Sequence, residues 1–186
     1  TSWNNTNPSL NGFDCVIHLN GTTYNAEMPT AGQTALVDFV DDGGLFISLE
    51  WNAYQYDTQN ELQSMEDLIL LQRTSGQTVS LTYTEVSAQS THPILVGVPS
   101  SFTLGVEGSN IGTIRTFTSQ PSIVLMTEGT NDALALRQFG SGCVLGFHGA
   151  GNYNLGNALG TMLSNGNVQQ LIINFIDYCG GPVSAF

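Results

Sequence analysis

The sequence contains no lysine, and its basic residues are Arg73, Arg115 and Arg137 alone. Fifteen acidic residues oppose them, giving a formal charge of −12 at neutral pH. That balance excludes a nucleic-acid partner, because holding phosphates requires a basic face. Electrostatic attraction to anionic lipid fails for the same reason. Long hydrophobic runs are missing too: no stretch approaches the roughly 20 apolar residues of a membrane span, so no membrane span is expected. Three cysteines, Cys15, Cys143 and Cys179, leave at least one thiol unpaired. No His/Cys/Asp cluster has zinc spacing, and no spaced Asp/Asn loop suits calcium. The acidity reads as a solubility device, and neither a metal nor a cofactor is expected. No signal-peptide pattern stands at the N-terminus. A start at Thr1 without methionine suits a mature or trimmed product, and the low charge with abundant Asn, Thr, Ser and Gly suits an extracellular or secreted one. There, Asn4-Asn5-Thr6 and Asn20-Gly21-Thr22 would be glycosylation acceptors.

What the chain does contain is a core. Apolar residues make up 41% of its 186 residues, enough for one domain with a sizeable interior. No repeat, low-complexity tract or linker divides it. The pattern centres on Leu36 to Trp51, which reads as a helix end, a Gly43-Gly44 turn and a buried strand over Leu45 to Leu49. Before it, the apolar run Phe13 to Leu19, closed by Asn20-Gly21, predicts another strand. Thr30 can cap a helix over Ala31 to Asp41, with Leu36, Phe39 and Val40 on one face. After it, Thr58 or Asn60 starts a helix carrying Leu62, Met65, Leu68, Ile69 and Leu71 at helical spacing.

The second half changes character. Thr78 to Glu85 alternates through Val79, Leu81 and Tyr83, as a strand with one exposed face does. Short strands are expected at Gly112 to Phe117, Ser122 to Met126 and Ala133 to Gln138. Phe139-Gly140-Ser141-Gly142 then turns into a strand over Cys143 to Phe147, and a helix from about Val168 to Tyr178 closes the pattern. Strand–helix–strand units joined by glycine turns imply parallel pairing through crossover helices. The expected fold is α/β: a flavodoxin-like layered sandwich with a mainly parallel central sheet and a β-hairpin extension in the second half.

Four segments, in order, carry a family resemblance. They are Leu10-x-x-Phe13-Asp14-x-Val16-Ile17, the helix with Gly43-Gly44 and strand Leu45 to Leu49, His92-Pro93-Ile94-x-x-Gly97-x-Pro99, and Phe139-Gly140-x-Gly142-x-Val144 leading to His148. Together they resemble the class I glutamine amidotransferase-like superfamily, nearest its trehalose-utilisation (ThuA-like) branch. The resemblance implies a cysteine nucleophile on a tight turn after the Leu45–Leu49 strand, helped by a histidine. Here that place reads Ser48-Leu49-Glu50-Trp51, with no cysteine and no glycine-flanked elbow. Amidotransferase chemistry is therefore not expected. The resemblance also implies a strand, a helix and a second strand ahead of the Phe13 strand, where this chain has a dozen polar residues. Either the chain is N-terminally incomplete, or a neighbouring chain or segment covers that strand by edge pairing.

Glu50 and His148 remain as chemical candidates. Both follow strands read as parallel, so both should lie at one edge of the sheet, where they could act as a base pair or bind a cation or a sugar hydroxyl. Trp51, Tyr54, Tyr56 and Tyr153 could add stacking surfaces, and Asn152 and Asn154 polar contacts. The plainer alternative has Glu50 bonding loop amides and Trp51 packing over the sheet end. His92, before a proline, suits a structural hydrogen bond, and His18 a part-buried place on its strand. Cys143 opens the last strand and Cys179 follows the helix that returns antiparallel to it, so a Cys143–Cys179 disulfide is geometrically reasonable. Cys15 suits a small buried hydrophobe. The expected function is a non-catalytic extracellular structural or binding domain, within a larger secreted protein or a self-assembling filament or surface structure. A protein partner, or a second copy, would pair along the Phe13–Leu19 edge. The alternative is a carbohydrate-binding or sugar-processing protein taking a glycan through Glu50, Trp51, His148, Asn152 and Tyr153.

Overall fold

A computed structural model of the chain describes residues 2–19, 24–151 and 160–180. Its strands are β1 (Cys15–Ile17), β2 (Leu45–Ser48), β3 (Ser75–Glu85), β4 (Ser101–Ile111), β5 (Ile123–Glu128), β6 (Asn131–Phe139) and β7 (Gly142–Phe147). Its helices are α1 (Thr30–Asp41), α2 (Glu50–Asp57), α3 (Gly160–Leu163) and α4 (Gly166–Cys179). The strands form one seven-stranded sheet in the order β1-β2-β7-β6-β5-β3-β4. The β1, β2 and β7 strands run parallel. From β7 onward every pairing is antiparallel. The fold is thus flavodoxin-like α/β, parallel at one end, and the hairpin extension is continuous with the same sheet.

The two layers grow out of β2. All four of its residues are buried, as a strand covered on both faces requires. Alternation sends Leu45 and Ile47 to the side of Leu171 and Phe175 on α4. Phe46 points the other way, into a cluster with Leu36 and Val40 of α1. Helix α1 stops at the glycine pair: Gly43 takes φ +114, a conformation that favours glycine, and the Gly44 amide donates to the Phe39 carbonyl at 2.8 Å. At the other end Pro29, not Thr30, occupies the cap position, with no side-chain cap bond. Cys143 and Cys179 are disulfide-bonded, with Cα atoms 6.1 Å apart, tying the start of β7 to the end of α4.

Three expectations are corrected. The helix after β2 begins at once, at Glu50, and ends at Asp57; none starts at Thr58 or Asn60. The Leu62–Leu71 stretch is instead a short 3₁₀ segment, Gln63–Leu68, entered through a left-handed Leu62 at φ 55. Its apolar residues are buried all the same: Leu62, Met65 and Leu68 join one core cluster, although the segment kinks at Met65, whose backbone is not helical. Strand β4 was not expected, because Gly105 and Gly108 interrupt its apolar alternation. Gly112 to Phe117 contributes only an isolated bridge between Leu71 and Ile114.

Strand β1 lies at one edge, and no described strand pairs with its outer side. Phe13 and Ile17 there are 51% and 38% exposed.

Candidate functional site

Because β2 and β7 are parallel neighbours, the residues that follow them meet at one edge of the sheet. Glu50 comes two residues after the end of β2 and opens α2, where the aligned peptide dipoles favour a carboxylate. Its amide donates to the Gly149 carbonyl at 3.0 Å, joining the two strand ends. The side chain is 3% exposed. Its Oε1 is ion-paired with Nη1 of Arg73, and that nitrogen also donates to Asn110 Oδ1 at 3.2 Å. The Arg73 guanidinium lies 5.0 Å over the Tyr54 ring, and burial lowers its pKa. Oε2 of Glu50 finds no hydrogen-bond partner among the described residues.

His148 follows β7 and is fully buried. Its ring stands edge-on to Tyr83 at 5.1 Å, with Nδ1 3.4 Å from the Asn110 carbonyl oxygen. Burial pushes its pKa down to about 4, so the imidazole is neutral at pH 7. Glu50 and His148 therefore reach the same sheet edge but do not form a pair: Asn110 contacts His148 with its backbone and Arg73 with its side chain.

Glu50 opens instead onto a cleft of about 360 Å³ lined by Tyr24, Trp51, Tyr54, Arg73 and Ser109, and His148 is not part of its wall. Trp51 stacks on Tyr24 with ring centroids 4.5 Å apart and planes 20° from parallel. Tyr54 meets both rings edge-on at 5.6 Å. Ser109 is buried, and its Oγ also has no partner among the described residues. Asn152 and Tyr153, expected at this edge, lie outside the described residues, as does Asn154. Tyr56 is turned to other work, stacking beneath Arg115 at 4.3 Å.

The remaining histidines fasten the scaffold. His18 Nδ1 lies 2.7 Å from Asn52 Nδ2, and Asn52 Oδ1 accepts from the Leu49 amide at 3.1 Å. Burial lowers the His18 pKa to about 4. His92 Nδ1 accepts from the Ile94 amide at 3.3 Å. Cys15 is partly buried and free, and burial raises its thiol to about 11. Tyr24, Arg73, Ser109 and Asn110 were not anticipated. One signal pointed to Arg73: a chain with three cations and fifteen acids leaves a partner for each cation. Arg115 pairs with Asp57 at 3.0 Å and Arg137 with Asp67 at 3.1 Å.

No protein-family model and no curated protein matches the sequence. Solved structures do match. A cytoplasmic protein of Salmonella typhimurium is 16% identical with a TM-score of 0.61, over 91% of this chain and 73% of the other. A ThuA-like protein of Bacteroides uniformis is 12% identical with a TM-score of 0.60, over 91% and 70% of the two chains. A GMP synthase component of Thermoplasma acidophilum is 10% identical with a TM-score of 0.54, over 92% and 75%. The fold is glutamine amidotransferase-like. At these identities the likeness is one of fold alone.

Proposed function

We propose that this chain is a non-catalytic extracellular binding or structural domain, part of a larger secreted protein or of a self-assembling filament or surface structure. The Glu50–Arg73 pair carries the reading. Where amidotransferase chemistry would need a nucleophile, a buried carboxylate stands already neutralised by a guanidinium. No cysteine compensates: Cys143 and Cys179 are bonded to each other, and Cys15, held protonated by burial, is a poor nucleophile. The disulfide suits an oxidising compartment.

The edge of β1 supplies the surface for a partner. The His18 amide donates to Ile47 and the Asp14 carbonyl accepts from Leu45, so by alternation the peptide groups of Cys15 and Ile17 face outward. Light scattering and electron microscopy should reveal ordered assembly. Ile17→Pro, which removes an outward donor and spares the bonds to β2, should abolish it. A monomer at all concentrations would sink the self-assembly, and amide or glycoside turnover lost in Glu50→Ala would sink the non-catalytic reading.

A second reading, carbohydrate binding, is favoured by the Tyr24–Trp51–Tyr54 cluster beside a polar cleft. Sugar processing is less favoured, because His148 lies outside that cleft.

A further inference from the structure

We infer that a groove at the opposite end of the strands from Glu50 docks a lysine- or arginine-bearing segment of another polypeptide. The inference rests on the reading of this chain as a binding domain and names the chemistry of a partner. Helices α1 and α4 both end where β2 and β7 begin. Gly43-Gly44 leads α1 straight into Leu45, and the disulfide ties the end of α4 to the start of β7. A groove of about 1140 Å³ opens there. It is lined by Ala31, Thr34 and Ala35 on one stripe of α1, by residues 10–14, and by Ile176 and Gly180 at the end of α4.

Charge selects the occupant. Asp14, Asp38 and Asp42 line the groove, and all three are exposed. The negative ends of two helix dipoles point to the same place, yet neither α1 nor α4 has a basic residue in its last turn. Carboxylates at that end work against the stability of the helix, a local conflict of the kind found at binding sites. No cation of this chain relieves it. Lysine is absent, and the three arginines pair with Glu50, Asp57 and Asp67. A second copy is excluded as the occupant on the same ground. A single metal ion fits poorly, since no group of three metal-holding side chains forms among the described residues. An extended segment fits better. Phe13 and Ile176 are 51% and 36% exposed, and with the part-buried Phe39 they offer apolar contact to lysine or arginine stems. Asp14 leads directly into β1, whose outward peptide groups continue the surface in a form that suits a polypeptide.

The test titrates ¹⁵N-labelled protein with a short, end-blocked peptide alternating lysine and leucine, beside versions carrying glutamate or serine for lysine. Spermidine and calcium chloride are titrated separately. The lysine peptide should bind saturably in the millimolar range or below and shift the Asp38 and Asp42 amide resonances. Asp38→Asn/Asp42→Asn should weaken that binding about tenfold. The same variant should melt no lower than the parent, because charges at the unfavourable helix end are gone. Glu85→Gln removes a charge outside the groove and should leave binding unchanged. Silence with the lysine peptide, equal binding of the glutamate or serine peptide, or indifference to the double variant overturns the inference. Tighter binding of spermidine or calcium at the same amides overturns it too, replacing the polypeptide with a small cation. Light scattering on the same samples separates the two claims. A monomer that binds the lysine peptide would defeat the self-assembly while leaving the groove. Ordered assembly with a silent titration would defeat the groove while leaving that reading.

Discussion

Each arginine in this chain faces a carboxylate and lies over an aromatic ring. Arg73 has Glu50 and Tyr54, Arg115 has Asp57 and Tyr56, and Arg137 has Asp67 and Phe117. The place of Glu50 could be read from the sequence, because a glycine turn and a strand lead straight to it. Its partner could not: Arg73 lies 23 residues away, and no local period links the two. Removing one member of such a pair leaves the other buried and unpaired. Arg73→Ala should cost about 3 kcal/mol in urea denaturation, and adding Glu50→Gln should restore part of it. Two histidines give a second expectation. Burial holds His18 and His148 near a pKa of about 4, against 6.5 unperturbed. Between those values the unfolded chain binds the protons that the folded chain refuses. Stability should therefore be full above about pH 6.5 and fall as the pH drops toward 4. His148→Gln should show a smaller loss between pH 7 and 5 than the parent, read from denaturation midpoints.

At the scale of elements, the legible parts were those specified by neighbours in sequence. The Gly43-Gly44 turn, the largely apolar β2 and the amphipathic α4 each carry their own signal. Helix α2 does not: Glu50–Asp57 has a polar majority and little one-sided pattern, and it forms because strand β2 delivers the chain to it beside Gly149. The Leu62–Leu68 segment shows that apolar residues at helical spacing do not require a helix, since a left-handed Leu62 and a kink at Met65 bring the same side chains into the core. The β7–α4 junction carries a prediction of its own. A crosslink between residues 36 apart contributes about 4 kcal/mol in the chain-entropy model. Reduction should lower the melting temperature on the order of 10 °C. Cys143→Ser/Cys179→Ser should melt at the lower temperature with or without reductant, and an unchanged value would show that the bond contributes nothing.

The whole molecule divides its sheet into a parallel end that positions the cleft's carboxylate and an antiparallel end that supplies its opposite wall. The first half was foreseeable from strand–helix–strand order. The second was not, because antiparallel partners such as β3 and β4 are joined by register across 15 intervening residues, Val86 to Ser100, and register is a property of the assembled sheet. The cleft straddles the two, with Glu50 after β2 and Ser109 on β4, which is why its composition escaped a residue-by-residue reading. Every basic side chain is consumed inside this assembly, and that has a practical consequence for proteolysis. Trypsin needs a free arginine or lysine side chain to fill its specificity pocket. This chain offers three, and each is ion-paired and lies over an aromatic ring. The folded protein should therefore resist trypsin, while in urea three cuts should release four peptides from the 186 residues. Early cleavage after Arg73 in the folded protein, seen by mass spectrometry, would show that the guanidinium leaves Glu50 far more often than their burial implies.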